Sequence, residues 1–126
     1  MNKNIISTES APAAIGPYSQ GISTGSMVFT SGQLPIDVET GHLEKEDIAK
    51  ATELVIKNVI SVVRAGGSDL EKIIKTTIYL VDMADFAAVN KVYGEFFKEN
   101  QPARTTIQVC KLPLDVKVEI EAIAII

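Results

Sequence analysis

The sequence predicts an α+β fold: a single domain in which a mixed β-sheet carries two helices on one face. Three observations point to it. Apolar residues between positions 46 and 64 recur at three- and four-residue steps, the period of a helix with one buried stripe. Segments 73–81 and 116–126 have instead the β-branched content and two-residue alternation of strands. Extended and helical segments then follow one another as strand–helix–strand, twice over. The chain has 126 residues, 46% of them hydrophobic and 22% charged. Since domains commonly hold about 100–200 residues, that is enough for one core and too little for two.

The elements follow in order. The short apolar stretch 27–31, before Gly32, is predicted as a strand, and Thr40-Gly41 within 38–43 as a turn. Residues 46–64 form the first helix, with Ile48, Ala51, Val55, Val59 and Val62 as its stripe and Ile56, Ile60 and Val63 widening it. Glu44, Glu46 and Asp47 stand at its start, where the helix dipole favours negative charge. Gly66-Gly67 stand at its end, where a left-handed residue is wanted. Segment 73–81, IIKTTIYLV, is a strand between Asp69 and Asp82. A second helix starts after Asp85, expected as its N-cap, and runs to about residue 98. Phe86, Val89, Val92 or Tyr93, and Phe96-Phe97 make its buried face, and Asn100-Gln101-Pro102 ends it. Strands 105–110 and 116–126 close the chain across a 111–115 connection. In the last strand Val116, Val118, Ile120, Ala122 and Ala124 alternate with Lys117, Glu119, Glu121, Ile123 and Ile125. Strand 73–81 is apolar on both faces, Ile74, Ile78 and Leu80 against Ile73 and Val81. Helices on one face leave the other bare, so that apolar content predicts a partner subunit over it.

Composition narrows the function classes. The net charge is −4 and the basic residues are scattered, which argues against a nucleic-acid footprint and against anionic membrane surfaces. One cysteine, Cys110, and one histidine, His42, exclude an internal disulfide and a zinc site of the usual type, so no metal is expected. No apolar run approaches the roughly 20 residues that span a bilayer. The start of the chain lacks the charged-then-apolar pattern of a secretory leader, so the expected address is the cytoplasm.

Few residues could carry chemistry. Glu119 and Glu121 share a strand face with Ile123 and Ile125. A solvated face is the plain reading, but a half-apolar face is a covered one, and a covered carboxylate needs a partner or a task. Arg104, at the start of a strand, is either a surface residue or a two-pronged receptor for a carboxylate ligand. Gly16-Pro17-Tyr18 and Thr30-Ser31-Gly32-Gln33 are glycine-containing turns through which backbone could approach a ligand. Neither is a nucleotide-binding glycine loop. Cys110 has no base beside it in the sequence and is expected to be a buried or half-buried inert thiol. The residues alone stop at an α+β domain with a hint of anion binding, and give no reaction.

A resemblance goes further. The segment Ala11-Pro12-Ala13-Ala14-Ile15-Gly16-Pro17-Tyr18-Ser19-Gln20-Gly21 resembles the N-terminal signature of the Rid family (YjgF-type, RidA subgroup). So do Thr30-Ser31-Gly32-Gln33-Leu34-Pro35, the segment from Asp85 to Tyr93, and Pro102-Ala103-Arg104-Thr105 followed by Val118 to Ala124. This resemblance implies a chorismate-mutase-like fold, a homotrimer and ligand clefts between subunits. It implies hydrolysis of 2-imino acids such as 2-iminobutanoate and 2-iminopropanoate to 2-oxo acids and ammonia, without a cofactor. These imines arise from enamines such as 2-aminoacrylate, released by pyridoxal-phosphate-dependent dehydratases. Matched by position, Arg104 would grip the substrate carboxylate and Glu119 would position the attacking water. Tyr18, Ser31, Gly32 and Asn90 would line the cleft, and backbone at Thr106 would meet the carboxylate. Glu121 would be structural or a member of a network. Many members carry Cys two positions after the arginine; Thr106 stands there here, and Cys110 does not inherit the role. Two other readings attach to the family: a non-catalytic, regulatory or chaperone-like trimer binding a small carboxylate, and an endoribonuclease or translation inhibitor. The acidic charge and the lack of a histidine pair disfavour the last.

Overall fold

Helix and strand form where the residue periods require them, and the differences fall where the period is too short to read. In the computed structural model, which describes residues 2–126, the chain runs β1 (Asn4–Ile6), β2 (Gly21–Ser23), β3 (Met27–Thr30), α1 (Ile48–Ala65), β4 (Ile73–Leu80), α2 (Phe86–Phe96), β5 (Ala103–Gln108) and β6 (Val118–Ile125). The strands form one mixed sheet in the order β1-β2-β3-β6-β4-β5. β6 is inserted antiparallel between β3 and β4, and β5 lies parallel to β4 at one edge. The helices pack on each other, with α1 over β6 and β3. Among the described residues no helix is long and apolar enough to cross a membrane.

α1 starts where Asp47 caps it, its carboxylate accepting from Lys50 N at 3.1 Å. The stripe is buried as expected, from Ala51 through Val55, Val59 and Val62 to Val63. Of the two glycines at its end, Gly66 keeps a right-handed φ of −83° and Gly67 takes the left-handed one, +94°. α2 departs from expectation at both ends. Asp85 makes no side-chain cap; Asp82 instead accepts from Ala84 N at 2.9 Å and caps a 3₁₀ turn, Met83–Asp85, that leads into the helix. The helix stops at Phe96, and Phe97, although buried, already lies outside it.

β1 and β2 were not expected, because three residues each are too few to show alternation. In β4 the pairing steps from Ile73↔Ala124 to Lys75↔Ile123, so Ile74 is an extra, bulged residue. Ile73 therefore joins Thr76, Ile78 and Leu80 on the core face and Ile74 is exposed, so Ile73 and Ile74 exchange their predicted places while Ile78 and Leu80 keep theirs. Cys110, expected to be buried or half-buried at the end of strand 105–110, lies beyond β5, which runs Ala103–Gln108, and is exposed. β6 begins at Val118 and not Val116, because Pro113–Asp115 makes a 3₁₀ turn with Leu114 and Asp115 at φ +57°.

The helix-covered face holds the core. On the open face register lines up Ile5, Ile22, Phe29 and Ile123 across β1, β2, β3 and β6. Ile5 is 68% exposed and Phe29 38%. That row is the bare apolar surface; the second apolar face predicted for strand 73–81 is not there, since Ile73 packs in the core and β4 turns Lys75, Thr77 and Tyr79 to the open side.

One polar tie joins α1 to the chain after β3. Asn58, buried in the helix, donates from Nδ2 to Leu34 O at 3.0 Å and Ile36 O at 2.9 Å. We expect Asn58→Ala to lower stability by about 1–3 kcal/mol, since Ile36 O loses its donor and Leu34 O keeps only the N–H of Ile36. Urea unfolding measures it; a wild-type midpoint would show that the tie contributes nothing.

Candidate functional site

The strand pair β3–β6 is irregular at one place, and a carboxylate occupies it. Regular pairing stops at Phe29↔Ile123. Thr30 then offers its hydroxyl in place of a carbonyl, accepting from Ala122 N at 3.0 Å. Backbone pairing resumes at Gln33↔Ile120, with N–O distances of 2.8 and 3.3 Å. Between these points Ser31-Gly32 stands off β6, and Glu119 lies against it. A Cβ on Gly32 would come 1.8 Å from Glu119 Oε2, so only glycine leaves room for that carboxylate. Ser31 fixes the loop, donating from N to Gln20 O at 2.8 Å and from Oγ to Ser19 O at 2.6 Å. A hollow of about 50 Å³ connects Gly32 and Gln33 with Tyr18, which is 51% exposed.

Glu119 is half-buried, and its carboxyl titrates above the usual carboxylate range. Burial is the larger cause and the charge of Glu121 the second. Glu121 accepts a hydrogen bond from the Tyr79 hydroxyl. That bond, with burial and the two glutamate charges, pushes the phenol up to about 12.

Arg104 sits on β5, next to Thr76 of β4, on the side of the sheet that faces α2. Its Nη1 donates to Asn90 Oδ1 at 2.8 Å. Its guanidinium carbon lies 5.0 Å from the Tyr93 ring centre and 5.5 Å from that of Phe86. Phe86, Asn90 and Tyr93 recur at four- and three-residue steps, so one face of α2 supplies both rings and the amide. Tyr93 is itself held by a 2.7 Å hydrogen bond shared with Thr76 and by stacking on Phe97. Among the described residues Arg104 forms no salt bridge. A cavity of about 330 Å³ opens beside it, lined also by Asn90, Tyr93, Gly94 and Gln101. Thr106, two residues along the same strand face, holds a buried Oγ1 with no hydrogen-bond partner.

The site residues predicted from the sequence thus fall into two groups. Tyr18, Ser31, Gly32 and Glu119 meet at the β3–β6 irregularity; Asn90, Arg104 and Thr106 meet under α2. Glu119 is on the open face of the sheet and Arg104 on the helix-covered face, with β4 between their strands. Two strand spacings alone separate them by roughly 10 Å, and the sheet stands in the way. His42 and Cys110 belong to neither group; His42 lies exposed, 3.6 Å from Glu44. Among the described residues no group of His, Cys, Asp and Glu could hold a metal ion.

Residues 8–126 match the family described as Endoribonuclease L-PSP. The chain belongs to this family, the Rid family. It is 50% identical to the 2-iminobutanoate/2-iminopropanoate deaminase of Salmonella typhimurium over 123 residues, 95% of either chain. It is 48% identical to Reactive Intermediate Deaminase A, chloroplastic, of Arabidopsis thaliana, over 98% of this chain and 66% of that one. The crystal structure of E. coli TdcF with bound serine matches at a TM-score of 0.94 and 48% identity, covering 98% of this chain and 99% of that one.

In the sequence of this Rid-family chain Phe86 reads as core, and Tyr93 as an alternative to Val92 there, and neither ring is marked as a wall for Arg104. Their spacing with Asn90 was a usable signal, but nothing tied that face to Arg104. Tyr79 was not singled out, because only the β4–β6 register sets it opposite Glu119.

Gly32→Ala tests the cradle. The colliding atom ends a flexible side chain and the Gly32 backbone is not left-handed, so the fold accepts the methyl and the carboxylate moves out. We expect stability within about 1 kcal/mol of wild type. The Glu119 carboxyl, followed by NMR titration, should fall back toward the ordinary carboxylate range. A titration unchanged from wild type would show that Gly32 does not hold it.

Proposed function

We propose that the protein is a cytoplasmic hydrolytic deaminase that converts small 2-imino acids, 2-iminobutanoate and 2-iminopropanoate among them, to 2-oxo acids and ammonia. We further propose that its cleft is completed by a second copy of the chain. One observation carries the reading: a guanidinium without a salt-bridge partner and a carboxylate of raised basicity lie on opposite faces of one sheet. In a 2-imino acid the carboxylate and the reacting carbon are directly bonded, so a single substrate cannot touch both groups within one protomer. A neighbouring copy seated on the open face, over the Ile5–Ile22–Phe29–Ile123 row, would bring its Arg104 to this Glu119. Three such contacts close a homotrimer. The deaminase names of relatives near 50% identity support the reaction, and the serine held by E. coli TdcF supports a ligand of amino-acid size and charge.

In this reading Arg104, aimed by Asn90 and the two rings, takes the substrate carboxylate in a two-pronged contact. Thr106 offers its unpartnered hydroxyl and its backbone beside it. Tyr18, Ser31 and Gly32 form the wall through which the imine carbon reaches Glu119. Glu119 accepts a proton from water as the water oxygen bonds to that carbon. That proton passes to nitrogen to give the carbinolamine; Glu119 then takes the hydroxyl proton and nitrogen receives it as the C=O bond forms and the C–N bond breaks, releasing ammonia and the 2-oxo acid. A carboxylate of raised pKa suits this task, since a base works best near the operating pH. Imines hydrolyse readily in water, so orientation and one base suffice and no cofactor is needed. Enamines such as 2-aminoacrylate, released by pyridoxal-phosphate-dependent dehydratases, would supply the substrates. A phosphodiester substrate, as the family's endoribonuclease description would have it, would meet the two negative charges of Glu119 and Glu121.

A coupled assay with threonine dehydratase tests the reaction, and faster 2-oxobutanoate formation in the presence of the protein is expected. An unchanged rate would leave a carboxylate-binding module. Light scattering should report three chains per particle; a stable monomer would remove the shared cleft. Arg104→Lys should lower kcat/KM by on the order of 10–100-fold, the worth of a charge-assisted hydrogen bond of about 1.5–3 kcal/mol. A lysine variant at wild-type kcat/KM would take Arg104 out of carboxylate binding.

A further inference from the structure

The open face of β6 carries two carboxylates two residues apart, and β4 supplies what keeps them in order. Tyr79 is the Cα partner of Glu119, and Thr77 that of Glu121. Directly opposed residues have their Cβ atoms about 5 Å apart, so the Tyr79 ring stands beside Glu119. Its hydroxyl, however, donates to the diagonal neighbour, Oε1 of Glu121. Glu119 is thus bounded by Gly32 on the β3 side, by the Tyr79 ring on the β4 side, and by a tethered Glu121 along its own strand.

We propose that Tyr79 and Glu121 are a positioning pair for Glu119: the phenol tethers the Glu121 charge beside the catalytic carboxylate, and the ring confines that carboxylate against Gly32. This rests on Glu119 being the base of the proposed deaminase.

The surroundings leave that arrangement uncompensated. Lys117, immediately before β6, donates to Glu46 O at 3.0 Å. Lys75 of β4 is opposite Ile123 and donates to Thr105 Oγ1 at 2.6 Å. From the β3 side the Gly32-Gln33 backbone is uncharged. Among the described residues neither glutamate forms a salt bridge. The charge of Glu121 therefore adds to burial in raising the Glu119 pKa, since like charges favour the protonated form. The sign follows. Turnover needs ionised Glu119, so it is lost as pH falls through the Glu119 pKa. Neutralising Glu121 lowers that pKa and moves the acid limb of kcat to lower pH. It also makes Glu119 a weaker base, so the plateau falls.

The test is kcat and KM across the acid range for wild type, Glu121→Gln, Tyr79→Phe and Glu119→Gln, with NMR titration of the Glu119 carboxyl in the first three. For Glu121→Gln we expect the kcat limb and the Glu119 titration to move together to lower pH. Tyr79→Phe, which keeps the ring and frees Glu121, should lower kcat several-fold with KM within about twofold, because neither residue touches the carboxylate end of the substrate. A merely structural role would lower the folded fraction without moving the limb or the titration. If Glu119→Gln is inactive while the limb and titration in Glu121→Gln stay at wild type, the pair does not act on Glu119 and the deaminase reading stands. A Tyr79→Phe variant with wild-type kcat removes the tether. If Glu119→Gln turns over normally, Glu119 is not the base, and the pair's role falls with it.

Discussion

The register of β6 is the constraint on which the rest depends. Hydrogen-bonded to β3 on one side and β4 on the other, the strand has no freedom to slip. A slip by one residue would exchange its faces, taking Val118, Ile120, Ala122 and Ala124 out of the core and driving Glu119 and Glu121 into it. Unpaired buried charge is among the costliest faults a core can have. The same alternation that fills the core therefore holds the two carboxylates on the open face. The departure of β3 at Thr30 then decides which of them is cradled: Glu119 lies at the gap, and Glu121 lies where Tyr79 can reach it.

Arg104 is held by a different logic. β5 is an edge strand, and an arginine on an edge is ordinarily free to sweep through solvent. Here α2 restrains it with two aromatic faces and an amide oxygen, all on one helical stripe. The hydrogen bond between Tyr93 and Thr76 ties that stripe back to β4, so the position of the guanidinium is set by the helix–sheet packing of the core. Arg104 also lines the cavity beside Gly94 and Gln101.

These two devices share one sheet but not one side of it. Glycine at position 32 and threonine at position 106 belong to opposite half-sites, and each leaves something open: a cradle that a methyl group would fill in one, an unpartnered hydroxyl in the other. The apolar row running from Ile5 to Ile123 lies on the same face as Glu119. Cover for that row and completion of the cleft are therefore one requirement in the proposed assembly, which links the stability of the particle to its activity.

Periodicity alone determined the helices, the long strands and the alternation that sets Glu119 and Glu121 on one face, because residues three, four or two apart meet through local geometry. It also marked Arg104 and Gly32 as residues with something to explain, and the family resemblance tied both to one reaction. Three kinds of information were beyond its reach. β1 and β2 form only because neighbouring strands accept them, as three residues hold no period. The bulge at Ile74 exchanges the faces of Ile73 and Ile74 through pairing with β6, and no residue in β4 announces it. Tyr79 meets the glutamates, and Phe86 and Tyr93 meet Arg104, across separations in the chain of more than ten residues. Which residues oppose one another across strands, and on which side of the sheet each charge stands, is set by long-range register. Only the packed tertiary structure decided that.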